Sequence, residues 1–386
     1  MIRILLRQVG FIVVFLGLFA LPLKGIDISQ YNCSYWYETN PEAKATYSVY
    51  MSDSSYHVML RLTTRSARQD SLYFYLQNNF TTEGHRIFVP QGDTLVANPA
   101  LLIVSFEVKK SNENVLVIHY RNQQDYLFPI QLRYNGVQHP GIYQVEVSNG
   151  LPYFTSYLKA DSSYFENPLD DSVLWVYQYS DQFNAAEPPM STTYSVSPSL
   201  QRDTLVAFKG SFYPEPNKFY FIQKDTLDLG GITRYSGSEF YPKYRHLEDL
   251  VPPLIYITRG GERSKLERAV DLKAAFDEFW LTLYPIKRNA AEAIADYYRS
   301  VTLANIFFTD YKPGWKTDRG MLYIVLGPPQ KVIREDWREL WIYDEELSFE
   351  FRIISNLFAY QQYYLIRRET YEVPWYNAVR RLRNNQ

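Results

Sequence analysis

Between Tyr47 and Gln223 the chain repeats one unit, a short segment of alternating apolar and polar side chains closed by a turn. His57–Leu62, Ser71–Leu76, Asn114–Tyr120, Phe128–Tyr134 and Gly141–Val147 form a first set. Val173–Tyr179, Thr204–Phe208 and Lys218–Gln223 form a second. Only an extended strand, whose successive side chains point to opposite faces, turns that period into one buried and one wet surface. Gly84, Gly92-Asp93, Asn135-Gly136 and Asn149-Gly150 supply the punctuation, and Asn-Gly is the strongest hairpin cue among them. Many short strands with few helical periods predict antiparallel β-sandwich architecture. The 35 tyrosines fit it, since Tyr packs well on a pleated surface and can also form a wet aromatic binding face.

A chain of 386 residues exceeds one ordinary core. We expect a leader over 1–25, a β-sandwich domain over 26–148, a second β-rich domain over 149–258, and a helical hairpin with a small α+β domain over 259–386. One sandwich with a long insertion is the other division of the β region. The Ala185–Pro198 region, with Pro188, Pro189 and Pro198, reads as a loop or an edge. The leader has a basic start at Arg3 and Arg7, an apolar stretch from Val9 to Leu23, and small residues at Ala20 and Gly25. That is the pattern of a secretory signal peptide, with a single anchoring helix as the alternative. Its removal with Lys24 takes the formal net charge from −2 to −5, which disfavours a general nucleic-acid binder. Cys33 is the single cysteine, so no internal disulfide forms. Gln30-Tyr31-Asn32 before it lacks the small residue a lipid-attachment site needs, which leaves an inert buried thiol or an intermolecular pairing.

After residue 260 the period changes. Ser264-Lys-Leu-Glu267 is a capping box, and Ala269, Leu272, Phe276, Phe279 and Leu283 follow at helical spacing until Pro285. Asn289-Ala-Ala-Glu292 restarts the pattern, and Ile294, Tyr297, Val301, Ala304 and Phe308 make one stripe. Two such helices on a short loop predict a hairpin with an apolar face for the sheet that follows.

Then comes Tyr311-Lys-Pro-Gly-Trp-Lys-Thr-Asp-Arg-Gly320, followed by Met321-Leu-Tyr-Ile-Val-Leu-Gly-Pro-Pro329. The Pro-Gly pair breaks the chain, Thr317 and Asp318 sit where side chains bond nearby N–H groups, and the apolar run reads as a buried strand. Glu339–Tyr343, Leu347–Arg352 and Gln361–Arg367 are further strand candidates. Gly314, Trp315, Thr317 and Asp318, with Gly320, Gly327 and Pro329, resemble the signature of the GWxTD-domain family. The resemblance implies an exported bacterial protein and brings no reaction with it. Leu326-Gly-Pro-Pro with Trp341-Ile-Tyr343 is also similar to the small lipoprotein subunit of the outer-membrane β-barrel assembly machine. That family carries a helix ahead of its Gly-x-Pro, where this chain reads as strand.

Chemistry is thinly signalled. Asp318 is a candidate acid, with Arg319 and Thr317 beside it, or a turn aspartate bonding backbone N–H groups. Glu335, Asp336, Glu339, Asp344, Glu345 and Glu346 lack the spaced loop of a cation site. His57, His85, His119, His139 and His246 have no paired zinc spacing, and no phosphate loop or nucleophile elbow occurs. No cofactor or metal is expected. Trp375, Val379 and Leu382 share a helical face beside Arg380, Arg381 and Arg383, which suits a partner, an anionic membrane surface or the parent domain. The expectation is a non-catalytic binding or assembly protein of the periplasm or the periplasmic face of the outer membrane. It would contact envelope proteins, assembly or secretion components among them, through Trp315, Asp318, Arg319, Trp341 and Tyr343, with 373–386 as a membrane contact and no nucleic acid. The alternative is a hydrolase or transferase using Asp318 as acid or base in a pocket between hairpin and sheet.

Overall fold

The computed structural model describes residues 25–384 apart from 66–71, 82–83, 88–91, 99, 146–149, 159–162, 165–172, 193–199 and 210. The expected leader, but for Gly25, lies outside the described residues. The fold is mainly β with antiparallel sheets, followed by helices and a further small antiparallel sheet.

The first eight strands are β1 (Ala43–Met51), β2 (Ser55–Thr64), β3 (Leu72–Gln77), β4 (Gly84–Ile87), β5 (Asp93–Asn98), β6 (Leu101–Lys109), β7 (Val115–Arg121) and β8 (Asp125–Gln131). They form two antiparallel sheets in the orders β1-β2-β6-β5 and β4-β3-β7-β8. Val58, Leu60 and Phe106 from one sheet meet Phe74, Leu116 and Ile118 from the other in a shared core. Strand β7 departs from simple alternation: every residue from Val115 to Tyr120 is buried. Leu116 and Ile118 face the sandwich interior, while Val115 and Val117 enter a second core shared with the helices. A strand covered on both faces must be apolar on both, which explains the run Val-Leu-Val-Ile. Gly141–Val147 does not become a ladder strand. Among its described residues only Val145 makes a bridge, to Pro152.

The second set comprises β9 (Tyr157–Leu158), β10 (Ser163–Tyr164), β11 (Leu174–Ser180), β12 (Arg202–Phe208), β13 (Ser211–Phe212), β14 (Lys218–Gln223) and β15 (Ile232–Ser236). Five of them make a sheet in the order β12-β11-β14-β15-β9, and β10 pairs with β13.

Six helices follow: α1 (Leu247–Leu250), α2 (Glu262–Glu267), α3 (Leu272–Leu283), α4 (Lys287–Phe308), α5 (Asp318–Leu326) and α6 (Glu372–Asn384). The expected first helix of the hairpin is broken in two. The expected Ser264 capping box does not form, because Ser264 lies inside the short α2, whose N-cap is Gly261, and Asp271 is the N-cap of α3, its carboxylate accepting from Ala274 N. Helix α4 begins two residues before Asn289, which is not its cap. Trp280 of α3 packs on Tyr297 of α4 with ring centres 5.9 Å apart. The last sheet has four strands, β16 (Lys331–Arg334), β17 (Arg338–Ile342), β18 (Ser348–Asn356) and β19 (Ala359–Leu365), in sequential antiparallel order.

An N-terminal strap binds sandwich and C-terminal layer together. Cys33 N donates to Val332 O at 2.8 Å, Ile28 N to Phe80 O at 2.8 Å, and Tyr35 Oη to Leu127 O at 2.8 Å. Cys33 is fully buried and its thiol is pushed up to about 12 by burial, the state of an inert packing residue.

Candidate functional site

Met321–Leu326, expected as a strand, is the body of helix α5. A short run apolar on every side carries no period that separates buried helix from buried strand. The deciding residues precede it. Thr317 is extended and accepts from Gly320 N at 3.0 Å through Oγ1, an N-cap, and Asp318 places its charge in the first turn, where the helix dipole favours it. Gly327, with φ +81°, ends the helix.

The glycines ahead of α5 are steric requirements. A Cβ on Gly314 would lie 2.0 Å from the Ala304 carbonyl oxygen, and one on Gly320 would lie 1.9 Å from the Gly314 carbonyl oxygen. The bend is pressed between α4 and the start of α5 with no room for a side chain. Asn305 Oδ1 accepts from Trp315 N at 3.0 Å, and Thr309 Oγ1 accepts from Gly314 N at 3.1 Å. Trp315 is buried, its indole N–H donating to Tyr244 Oη at 3.0 Å and its carbonyl accepting from Tyr256 Oη at 2.7 Å.

Asp318 and Arg319 do not pair with each other. Consecutive helical residues diverge by about 100°, and the two side chains reach opposite neighbours. Asp318 Oδ1 accepts from Arg367 Nη2 at 2.6 Å and Oδ2 accepts from Leu365 N at 2.8 Å. Arg319 lies 3.4 Å from the ring centre of Tyr363, donates to Tyr37 Oη at 2.9 Å and stands 3.8 Å from Glu339. Trp341 is fully buried and donates to Glu339 Oε1 at 2.7 Å, and Tyr343 Oη donates to Gly327 O at 2.9 Å. The sequence-expected residues thus fall into one continuous structure, as its internal framework and not as an outward patch.

Asp318 does border a cleft of about 140 Å³, with Asp310, Lys312, Thr317, Tyr364 and Arg367 around it. Burial raises the Asp310 carboxyl above the usual range, against the pull of Lys312. The loop expected from Ala185 covers this cleft: Ala186 N donates to Lys316 O at 3.1 Å, Arg367 Nη2 to Glu187 O at 3.1 Å, and Lys316 pairs with the buried Asp181 at 2.9 Å. Arg367, Glu187 and Asp181 carry no local motif, so their part in the site was not legible before folding. Of the acidic cluster, Glu335 pairs with Arg338 and Asp344 accepts from Glu346 N and Leu347 N. Among the described residues no group of three or more His, Cys, Asp or Glu side chains is arranged to hold a metal ion.

The expected tail helix is α6. Trp375, Ala378 and Val379 are buried on the parent domain, and Arg383 pairs with Glu262 at 2.7 Å and donates to Ile257 O at 2.6 Å. Arg380 and Arg381 remain exposed. No helix among the described residues is long and apolar enough to cross a membrane.

Neither the curated proteins nor the solved structures contain a match to the chain. The family model of the GWxTD domain matches residues 218–384, from β14 to the end of α6. Residues 218–384 are thus a GWxTD domain, which takes in the last two long strands of the five-stranded sheet, all six helices and the C-terminal sheet.

Proposed function

We propose that this is an extracytoplasmic, non-catalytic binding or assembly protein of the bacterial cell envelope that docks through its GWxTD domain. One observation carries the reading: Trp315, Thr317, Asp318, Arg319, Trp341 and Tyr343 all spend their polar atoms on internal contacts. A motif used this way builds a rigid platform. Contact with a partner then falls to side chains the domain leaves exposed, such as Trp337 and Ile354, rather than to Trp341 and Tyr343. Helix α5 ahead of Gly327-Pro328-Pro329 also removes the difference from the assembly-machine lipoprotein noted above, which supports an envelope role. The leader-like N-terminus supports export.

The alternative, a hydrolase or transferase using Asp318, has the cleft beside that residue in its favour. It lacks a nucleophile–base pair there, and the carboxylate is committed to Arg367 and Leu365 N. The test is affinity capture of the full-length protein from membrane extracts of its own host with mass spectrometry, beside a form lacking 218–384. Specific envelope proteins retained only by the full chain are the expected result. Recovery of the protein in the cytosol with residues 1–25 still attached would refute it.

A further inference from the structure

Arg334 ends β16 and is 2 % exposed. Its guanidinium lies 4.5 Å from the ring centre of Phe80 and 6.0 Å from that of Tyr363. Nη1 reaches only the Arg338 carbonyl, at 3.5 Å, and Nη2 is buried without an acceptor. Across the ladder it faces Glu339 without bonding to it. Glu339 Oε1 accepts from Tyr37 Oη at 2.8 Å and Trp341 Nε1 at 2.7 Å, 3.8 Å from Arg319, while Oε2 has no partner. Asp336 feels the Arg334 charge, yet its Oδ1 accepts from Phe80 N at 2.9 Å and it forms no ion pair with Arg334. Arg334 thus has Glu339 and Asp336 as neighbours but forms an ion pair with neither, and its Nη2 stays unbonded, an arrangement that is disfavoured for a buried charge.

Beside it lies a cavity of about 280 Å³ between sandwich and C-terminal sheet. Arg334 and Lys44 line it, no Asp or Glu does, and Trp36, Phe128 and Phe307 are among its aromatic walls. The Lys44 ammonium stands 5.5 Å from the Phe307 ring centre. Mostly apolar walls with a few convergent polar groups are the usual make-up of a small-molecule site, and this volume is at the lower end of that class. We propose that the cavity binds a small monocarboxylate with an apolar or aromatic body, its charge held by Arg334 and its body against Trp36, Phe128 and Phe307. One guanidinium and one ammonium on the walls match a monocarboxylate better than a phosphate, which would need several donors.

The inference is independent of the docking role. Calorimetric titration of the full chain with octanoate and 3-phenylpropionate, beside octanamide and 3-phenylpropanamide, tests it. At least one acid should bind, its amide weaker by roughly tenfold or more, since a charge-assisted bond is lost. R334Q should weaken the acid by a similar factor and Lys44→Gln by about threefold. Phe128→Trp, which narrows the cavity while keeping every charge, should weaken the acid several-fold, and it decides the matter if R334Q does not fold. Absence of binding by both acids, equal affinity for acid and amide, or undiminished binding by the narrowed cavity would each overturn the proposal.

Discussion

Asp318→Asn tests the structural account of the signature most directly, because it keeps the shape of the side chain and removes its charge. Asp318 and Arg367 are each 10 % exposed at the side chain, and their contact is 2.6 Å. Removing one partner of a buried pair costs about 3–5 kcal/mol, since the other charge stays desolvated. Here Arg367 Nε already lacks an acceptor. Two features lower the figure: Arg367 keeps the Glu187 carbonyl at 3.1 Å, and an asparagine oxygen still accepts from Leu365 N. Loss of the negative charge in the first turn of α5 adds about 0.3–1 kcal/mol. The sum is about 3 kcal/mol, which for a unit of this size lowers the melting midpoint by about 6–12 °C. Tryptophan fluorescence is the assay of choice, because Trp280, Trp315, Trp337, Trp341 and Trp375 all lie in the matched domain. Adding Arg367→Gln on the same chain should cost little more, as the stranded cation is then gone. A variant that melts within about 1 °C of the parent would refute the reasoning, because a buried ion pair cannot be removed that cheaply.

Three further outcomes follow from particular contacts. Gly314→Ala should lose about 3 kcal/mol or more in chemical denaturation, because its methyl must displace the α4 backbone at Ala304; a neutral result would mean the bend is looser than it looks. His139 is 5 % exposed and burial pulls its pKa down to about 4 from the usual 6.5. The unfolded chain therefore binds the proton first, so this contribution is complete above pH 6.5 and falls by up to about 3 kcal/mol as pH drops toward 4. Stability curves at pH 7 and pH 5 should converge in His139→Gln, and an unchanged pH dependence would exclude this origin. Trp375→Ala should cost about 3–5 kcal/mol, since the indole is 3 % exposed against the parent domain; an unaltered melting curve would show that α6 is not part of that core.

Most of the period-two segments became strands, since alternation permits only one local conformation to bury its apolar half, though Gly141–Val145 joins no ladder. His57–Leu62 lies within β2, and Asn114–Tyr120 and Glu339–Tyr343 fall on β7 and β17 to within a residue at each end. The helical stripes were legible for the same reason, though not the break at Asp271, where a cap overrides a continuing apolar period. Strand β16 and helix α5 were beyond local reading. The first is a four-residue edge strand, and the second is buried on all sides and so shows no amphipathic period.

Sequence alone marked Gly314, Trp315, Thr317 and Asp318 as one unit with a Pro-Gly bend, and left Asp318 as either an acid or a turn residue bonding backbone N–H groups. It could not determine which charges they meet. Arg367 is 49 residues from Asp318, Tyr37 is 282 from Arg319, and Asp181 is 135 from Lys316. Pairing over such distances is chosen by how the sheets and the helices pack, and no local propensity encodes it. Only the tertiary structure therefore decided that the signature faces inward, and that Arg334 is left as a buried cation beside an aromatic cavity.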